Sequence, residues 1–208
     1  MRNQTIWTTL SLVVVVVVVV PVVIGCSDSA PSTTSVAIEE PSGPPLTEFE
    51  LIDADGDDFH SDQLLGKVWI GSYFFTRCAG NCRQLNMVIS ALQLEFGPRG
   101  VQFVSITCDP SFDTPQELTT YAETFNAKDE HWTFLTGDFK YIRQVGHDIL
   151  DVSIDERAHY AMLTIVDRSG KARGSFHALK DFDMRRAKLL LEELLEEPPP
   201  DEPAARKL

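Results

Sequence analysis

Residues 67–96 read KVWIGSYFFTRCAGNCRQLNMVISALQLEF, and the order of patterns within them sets the fold class. Lys67 to Phe75 is an apolar, aromatic run of the length and composition of a buried central strand. From Arg83 the apolar residues Leu85, Val88, Ile89, Leu92 and Phe96 recur at three- and four-residue steps. That spacing predicts an amphipathic helix, ended by Gly97-Pro98. Between the two patterns stand Cys78 and Cys82, so a strand, a cysteine pair and a helix meet at one point. Residues four apart on a helix share a face, which would aim both sulfurs at one spot. The amino end of a helix would also favour thiolate over thiol there, through its unpaired amides and its dipole.

The flanking segments continue an alternation of strand and helix. Val101 to Thr107 predicts a second strand with Cys108 at its carboxyl end. Thr114-Pro115-Gln116-Glu117 is a helix start, with a capping threonine, proline at the first helical position and glutamate three residues after the cap. Its helix should reach about Phe125. Trp132 to Leu135 predicts a short strand, Phe139 to Leu150 a helix, Ala161 to Val166 and Ala172 to Phe176 a hairpin, and Arg185 to Glu196 a last helix. Upstream, Phe49 to Ile52 and the stretch around Phe59 flank Asp53-Ala54-Asp55-Gly56-Asp57-Asp58, a turn that makes an amino-terminal β-hairpin. A calcium loop fits those aspartates poorly, because the glycine stands fourth and no glutamate arrives at the twelfth position. The expected fold is an α/β sandwich with a mixed central sheet.

The termini predict a membrane-tethered, exported domain. Ile6 to Ile24 is almost unbroken apolar sequence, long enough for an export signal or a span. Val23-Ile24-Gly25-Cys26 then resembles the lipobox of bacterial lipoproteins, with Cys26 as the lipidated residue. Residues 1–25 are therefore expected to be a lipoprotein-type signal peptide, 26–45 a Ser/Thr/Pro-rich flexible tether, 46–197 the folded domain and 198–208 a disordered tail. An uncleaved anchor is the alternative for the first segment. Either places the domain on the periplasmic or extracellular side of the cell membrane. The chain carries a net charge of −13, which argues against nucleic acid as a partner. With Cys26 given to a lipid, three cysteines remain, an odd number that suits no purely structural disulfide framework.

Two thiolates at one point can close into a redox disulfide or grip a soft metal, and thiolate sulfur selects copper(I) over hard cations. A static bridge across three residues closes too small a loop to stabilise much. Structural zinc sites use a second pair, which this chain lacks. His60, His131 and His147 read as surface or helix positions. Asp109 and Asp113 read as turn and capping residues. Cys108 is either a small buried apolar residue or a third thiol beside the pair.

Phe75-Thr76-Arg77-Cys78 through Cys82, with Val104-Ser105-Ile106-Thr107-Cys108-Asp109-Pro110 and Asp113-Thr114-Pro115, resembles the SCO/SenC family. These are copper-handling proteins of thioredoxin-like fold that help assemble the binuclear copper site of cytochrome c oxidase. The resemblance spans roughly Phe49 to Glu196 and implies a copper ion held by Cys78, Cys82 and a histidine. That family's histidine lies eleven residues before the glycine of a turn between two late strands, and counting back from Gly170 gives His159. His177 is the fallback ligand. The family usually places proline after each cysteine and aspartate before the histidine, where this chain has Ala79, Arg83 and Ala158. The implied function is a copper(I) chaperone or thiol reductase whose partner is a copper-accepting oxidase subunit or a thiol protein. The competing expectation is a metal-free thiol-disulfide oxidoreductase with Cys78 and Cys82 as its catalytic pair. Thioredoxin-type oxidoreductases use a two-residue gap and a facing proline. Here the gap is three residues and no proline occurs between Pro115 and Pro198.

Overall fold

The computed structural model describes residues 46–127, 130–155 and 161–198. The expected leader, tether and lipid site Cys26, the candidate ligand His159 and most of the expected tail lie outside the described residues. No helix among the described residues is long and apolar enough to cross a membrane.

Strand β3 (Trp69–Phe74) is buried at every position and lies inside the sheet, because its side chains have cover on both faces. It pairs in parallel with β4 (Gln102–Thr107) and antiparallel with β6 (Met162–Val166). Strand β5 (Trp132–Thr136) extends the parallel part beyond β4, and β7 (Ala172–His177) closes the other edge. The hairpin β1 (Glu50–Asp53) and β2 (Asp58–His60) adds to β5, giving the order β2-β1-β5-β4-β3-β6-β7. Its turn spends the Asp53 carboxylate on the amides of Asp55 and Asp57, at 2.9 and 3.0 Å. The result is the expected thioredoxin-like α/β sandwich with a mixed sheet.

Alternation along the strands assigns side chains to two layers. Ser72 and Ser105 meet on one face, their hydroxyls 2.9 Å apart, and Trp132 Nε1 donates to Ser105. Phe74 lies on that face, stacked on Tyr121 of α2 (Pro115–Thr124) at 5.1 Å and edge-on to Phe134 at 5.4 Å. Helix α1 (Asn81–Phe96) lies beside α2, Ser90 donating to the Phe125 carbonyl. Helix α4 (Asp181–Glu196) joins α1 through Lys188–Glu95 at 2.6 Å and the turn just after α1 through a two-point Arg99–Glu192 pair. The opposite face, with Gly71 and Tyr73, is covered by α3 (Phe139–Leu150), whose Ile142 carbonyl accepts from the Tyr73 hydroxyl.

Thr114 caps α2 as expected, accepting from the Glu117 amide, and α3 has the expected bounds. Helix α4 starts four residues before the expected Arg185. Asp181 and Asp183 stand in its first turn, where acidic groups suit the dipole, and Phe182 points outward, so no apolar period marks that turn. At its other end the Arg168 guanidinium donates to the carbonyls of Leu194, Leu195 and Glu197, closing the helix where a glycine cap is missing.

Candidate metal centre

The chain leaves β3 at Phe74, turns at Phe75 and Cys78, whose amide donates to the Phe75 carbonyl at 3.2 Å, and enters α1 at Asn81. Only Cys82 is therefore on the helix; Cys78 precedes it, which corrects the expectation of two sulfurs on one helical face. The sulfurs meet by a different device. The N-cap residue Gly80 has no side chain, and the Cys82 amide in the first turn donates to Cys78 Sγ at 3.4 Å. Cys78 thus caps the helix with its sulfur, and the amino end of α1 is aimed at Cys78.

Burial reverses the expectation for Cys82. Cys78 and Cys82 are both buried, at 5% and 0% exposure, and both are reduced thiols. Burial pushes the Cys82 thiol well above its usual range, and its hydrogen bond with Cys78 adds to that. A backbone contact at Phe75 works the other way without offsetting it. Loss of solvent outweighs the helix dipole, so Cys82 rests as a thiol and not as the expected thiolate.

Two buried carboxylates hold this loop in place. Asp113, fully buried, accepts from the Thr76 amide at 3.1 Å and from the hydroxyls of Thr76 and Thr107. Asp109, also buried, pairs with Arg77 at 2.5 Å and accepts from Ser111. Arg77 in turn lies 4.0 Å over the Phe112 ring. The residues just before Cys78 are therefore locked to the loop after β4, a role beyond the turn and capping duties expected of these aspartates.

Cys108 directly follows β4. Its amide donates to the Phe74 carbonyl at 2.8 Å, as the parallel register demands. A negative charge on Cys108 would raise both the Tyr73 hydroxyl and the Cys82 thiol, the larger cause in each being burial. Among the described residues no group of three His, Cys, Asp or Glu side chains is placed to hold a metal ion.

His177 ends β7, and its Nδ1 accepts the Leu179 amide at 3.2 Å. That bond leaves the ring proton on Nε2, so the imidazole has no lone pair to give a metal in this arrangement. His60 lies 3.4 Å from Glu50, His147 lies 2.7 Å from Asp148, and His131 precedes β5, all away from the cysteines. Asn86 and Tyr121 were not anticipated. Asn86, fully buried one turn after Cys82, donates to the Tyr121 hydroxyl at 3.0 Å. Burial pushes that hydroxyl up to about 12 against the pull of Asn86, and negative charge on Cys82, Cys78 and Asp113 adds to it. A polar residue on the otherwise apolar stripe Cys82, Leu85, Ile89 was the signal for this pair.

The SCO1/SenC family model matches residues 40–190. A SCO1 protein homolog of Bacillus subtilis (strain 168) is 28% identical over 102 residues, 48% of this chain and 53% of the relative. The chain spans about half the length of the curated relatives it matches first. A SCO1/SenC family lipoprotein from Bacillus anthracis superposes with a TM-score of 0.67 at 25% identity, covering 77% of this chain and all of that one. The copper-bound structure of Bradyrhizobium japonicum ScoI superposes with a TM-score of 0.57 at 24% identity, over 71% of this chain and 97% of that one. The match of the family model over most of the folded region decides the assignment, and the chain belongs to the SCO1/SenC family.

Proposed function

We propose that this chain carries one copper(I) ion between Cys78, Cys82 and His159 and hands it to a copper-accepting oxidase subunit, or to a thiol protein, outside the cytoplasm. The reading rests on the contact of the Cys82 amide with Cys78 Sγ at 3.4 Å, which sets two soft donors side by side at the β3–α1 junction. The third donor is assigned to His159. It lies two residues before Ala161, and β6 begins next to the carboxyl end of β3, where Leu163 pairs with Ser72. Copper(I) is here a cargo. Its binding requires thiolates, so loading the site displaces the proton that burial keeps on Cys82.

Copper(I) titration of the reduced chain against a competing chelator of known affinity tests this. One copper per chain is expected, with uptake abolished by Cys78→Ser or Cys82→Ser. His159→Ala should weaken it roughly 10- to 100-fold, and Cys108→Ser should leave it unchanged. A reduced chain that takes up no copper(I) would end the proposal. If the same chain then turned over a disulfide substrate and lost that activity with Cys82→Ser, the metal-free oxidoreductase reading would replace it.

Membrane attachment through a lipid on Cys26 completes the reading. The cysteine after the apolar run supports it, as does the lipoprotein description of the Bacillus anthracis relative.

A further inference from the structure

Four large apolar side chains stand on the outer surface of the α1–α4 layer. Met87 and Leu94 on α1 are 59% and 63% exposed, and Phe182 and Leu189 on α4 are 64% and 70% exposed. Each pair is seven residues apart, so each forms a row along its helix, opposite the side that packs on the sheet. The Lys188–Glu95 and Arg99–Glu192 pairs hold the helices side by side, so the rows share one face. Large apolar side chains gathered on one outer face mark a candidate contact site.

The charges around Leu189 select the occupant. Arg185 lies four residues before it and Glu193 four residues after, both exposed. Neither makes an ion pair with any described residue, whereas Lys188 and Glu192 have partners inside the chain. Glu196 lies seven residues after Leu189, and Phe182 seven before, with Arg186 5.7 Å over the Phe182 ring. Arg185 and Arg186 precede Leu189, and Glu193 and Glu196 follow it, with Asp181 and Asp183 in the turn before the arginines. A second α4 laid antiparallel and centred on Leu189 brings Arg185 of each copy to Glu193 of the other. A parallel arrangement would oppose like charges, and an anionic lipid surface would meet Glu193 and Glu196.

We propose that this face is where two copies of the chain meet, α4 against α4, about a twofold axis through Leu189. Such a contact is isologous, each copy supplying the same surface. Two helices of 16 residues span about 24 Å. With a width of about 10 Å, the α4 row alone offers roughly 250 Å² per copy, less than the ~800 Å² of a standard stable interface. The pairing is therefore a weak, reversible one. It does not depend on copper.

The test uses the full chain in its membrane, with Leu189→Cys and a short bismaleimide crosslinker. A cysteine on the twofold axis meets its own copy, so a dimer band at least fivefold above that of the unaltered chain is expected. Arg185→Glu or Glu193→Arg added singly should cut the yield at least fivefold, and both together should restore it. Yield no higher than in the unaltered chain overturns the proposal, as does failure of the double exchange to restore it. Labelling of the Leu189→Cys chain by a bilayer-embedded probe, without crosslinking, overturns it in favour of a lipid surface.

Discussion

Cys82 shows how burial and the helix terminus compete at a single side chain. Its amide feeds the Cys78 sulfur while its own thiol, fully buried, is held protonated. Tyr121, raised to about 12 mainly by burial, shares this behaviour. Both groups ionise more readily in the unfolded chain than in the fold. Their contribution to stability is complete below the ordinary thiol range near 9, and is lost as pH rises through the elevated values. The urea midpoint of the reduced protein should therefore fall between about pH 9 and 12. It should fall less steeply in Cys82→Ser with Tyr121→Phe, as denaturation curves across that range would show. Parallel curves for the two proteins would remove burial as the cause.

Helix α3 is placed by how closely it can approach the sheet. Gly146 lets it do so, because a Cβ there would lie 2.8 Å from Ile154 Cγ1, 2.9 Å from the Val152 carbonyl oxygen and 3.2 Å from the Tyr73 hydroxyl. The Val152 amide is itself bonded to the Gly146 carbonyl, so that backbone has little room to move. Alanine normally favours a helix over glycine by about 1 kcal/mol. Gly146→Ala should nevertheless destabilise the domain by about 1–3 kcal/mol, since overpacking against backbone outweighs propensity. Chemical denaturation measures the difference, and a stabilised variant would show that α3 can shift. The bounds of α3 were legible from its apolar period, but this constraint was not, because it depends on Tyr73 in β3 and on the return loop after the helix.

For the whole molecule, the expected architecture and its layers were readable from the order of patterns, while the site was readable only in part. The family's cysteine spacing led to Cys78 and Cys82, and the structure does bring them together. The brace formed by Asp109 and Asp113 links residues 32 and 37 positions apart and has no local signature. The proposed attachment of the domain to a membrane would belong to the segment before Leu46. Cys26→Ser should move the chain from the membrane fraction to the soluble exported fraction if a lipid on Cys26 is the anchor and the leader is still removed. In the unaltered chain, an amino terminus still beginning at Met1 would point to the uncleaved anchor instead. Fractionation with a mass measurement of the amino terminus separates these outcomes.

Local sequence was enough to specify the buried strand ending near Cys78, the stripe of α1, the threonine cap of α2 and the amino-terminal hairpin turn. Each depends on residues within a few positions of one another, where backbone geometry and side-chain period leave few choices. Only the packed structure decided that Cys78 caps α1 from outside the helix, that burial keeps Cys82 protonated and that the Cys108 amide is tied to the Phe74 carbonyl. Those outcomes depend on solvent exclusion and on the register between β3 and β4, where Ser72 meets Ser105 across 33 residues of chain. No local pattern encodes such a meeting.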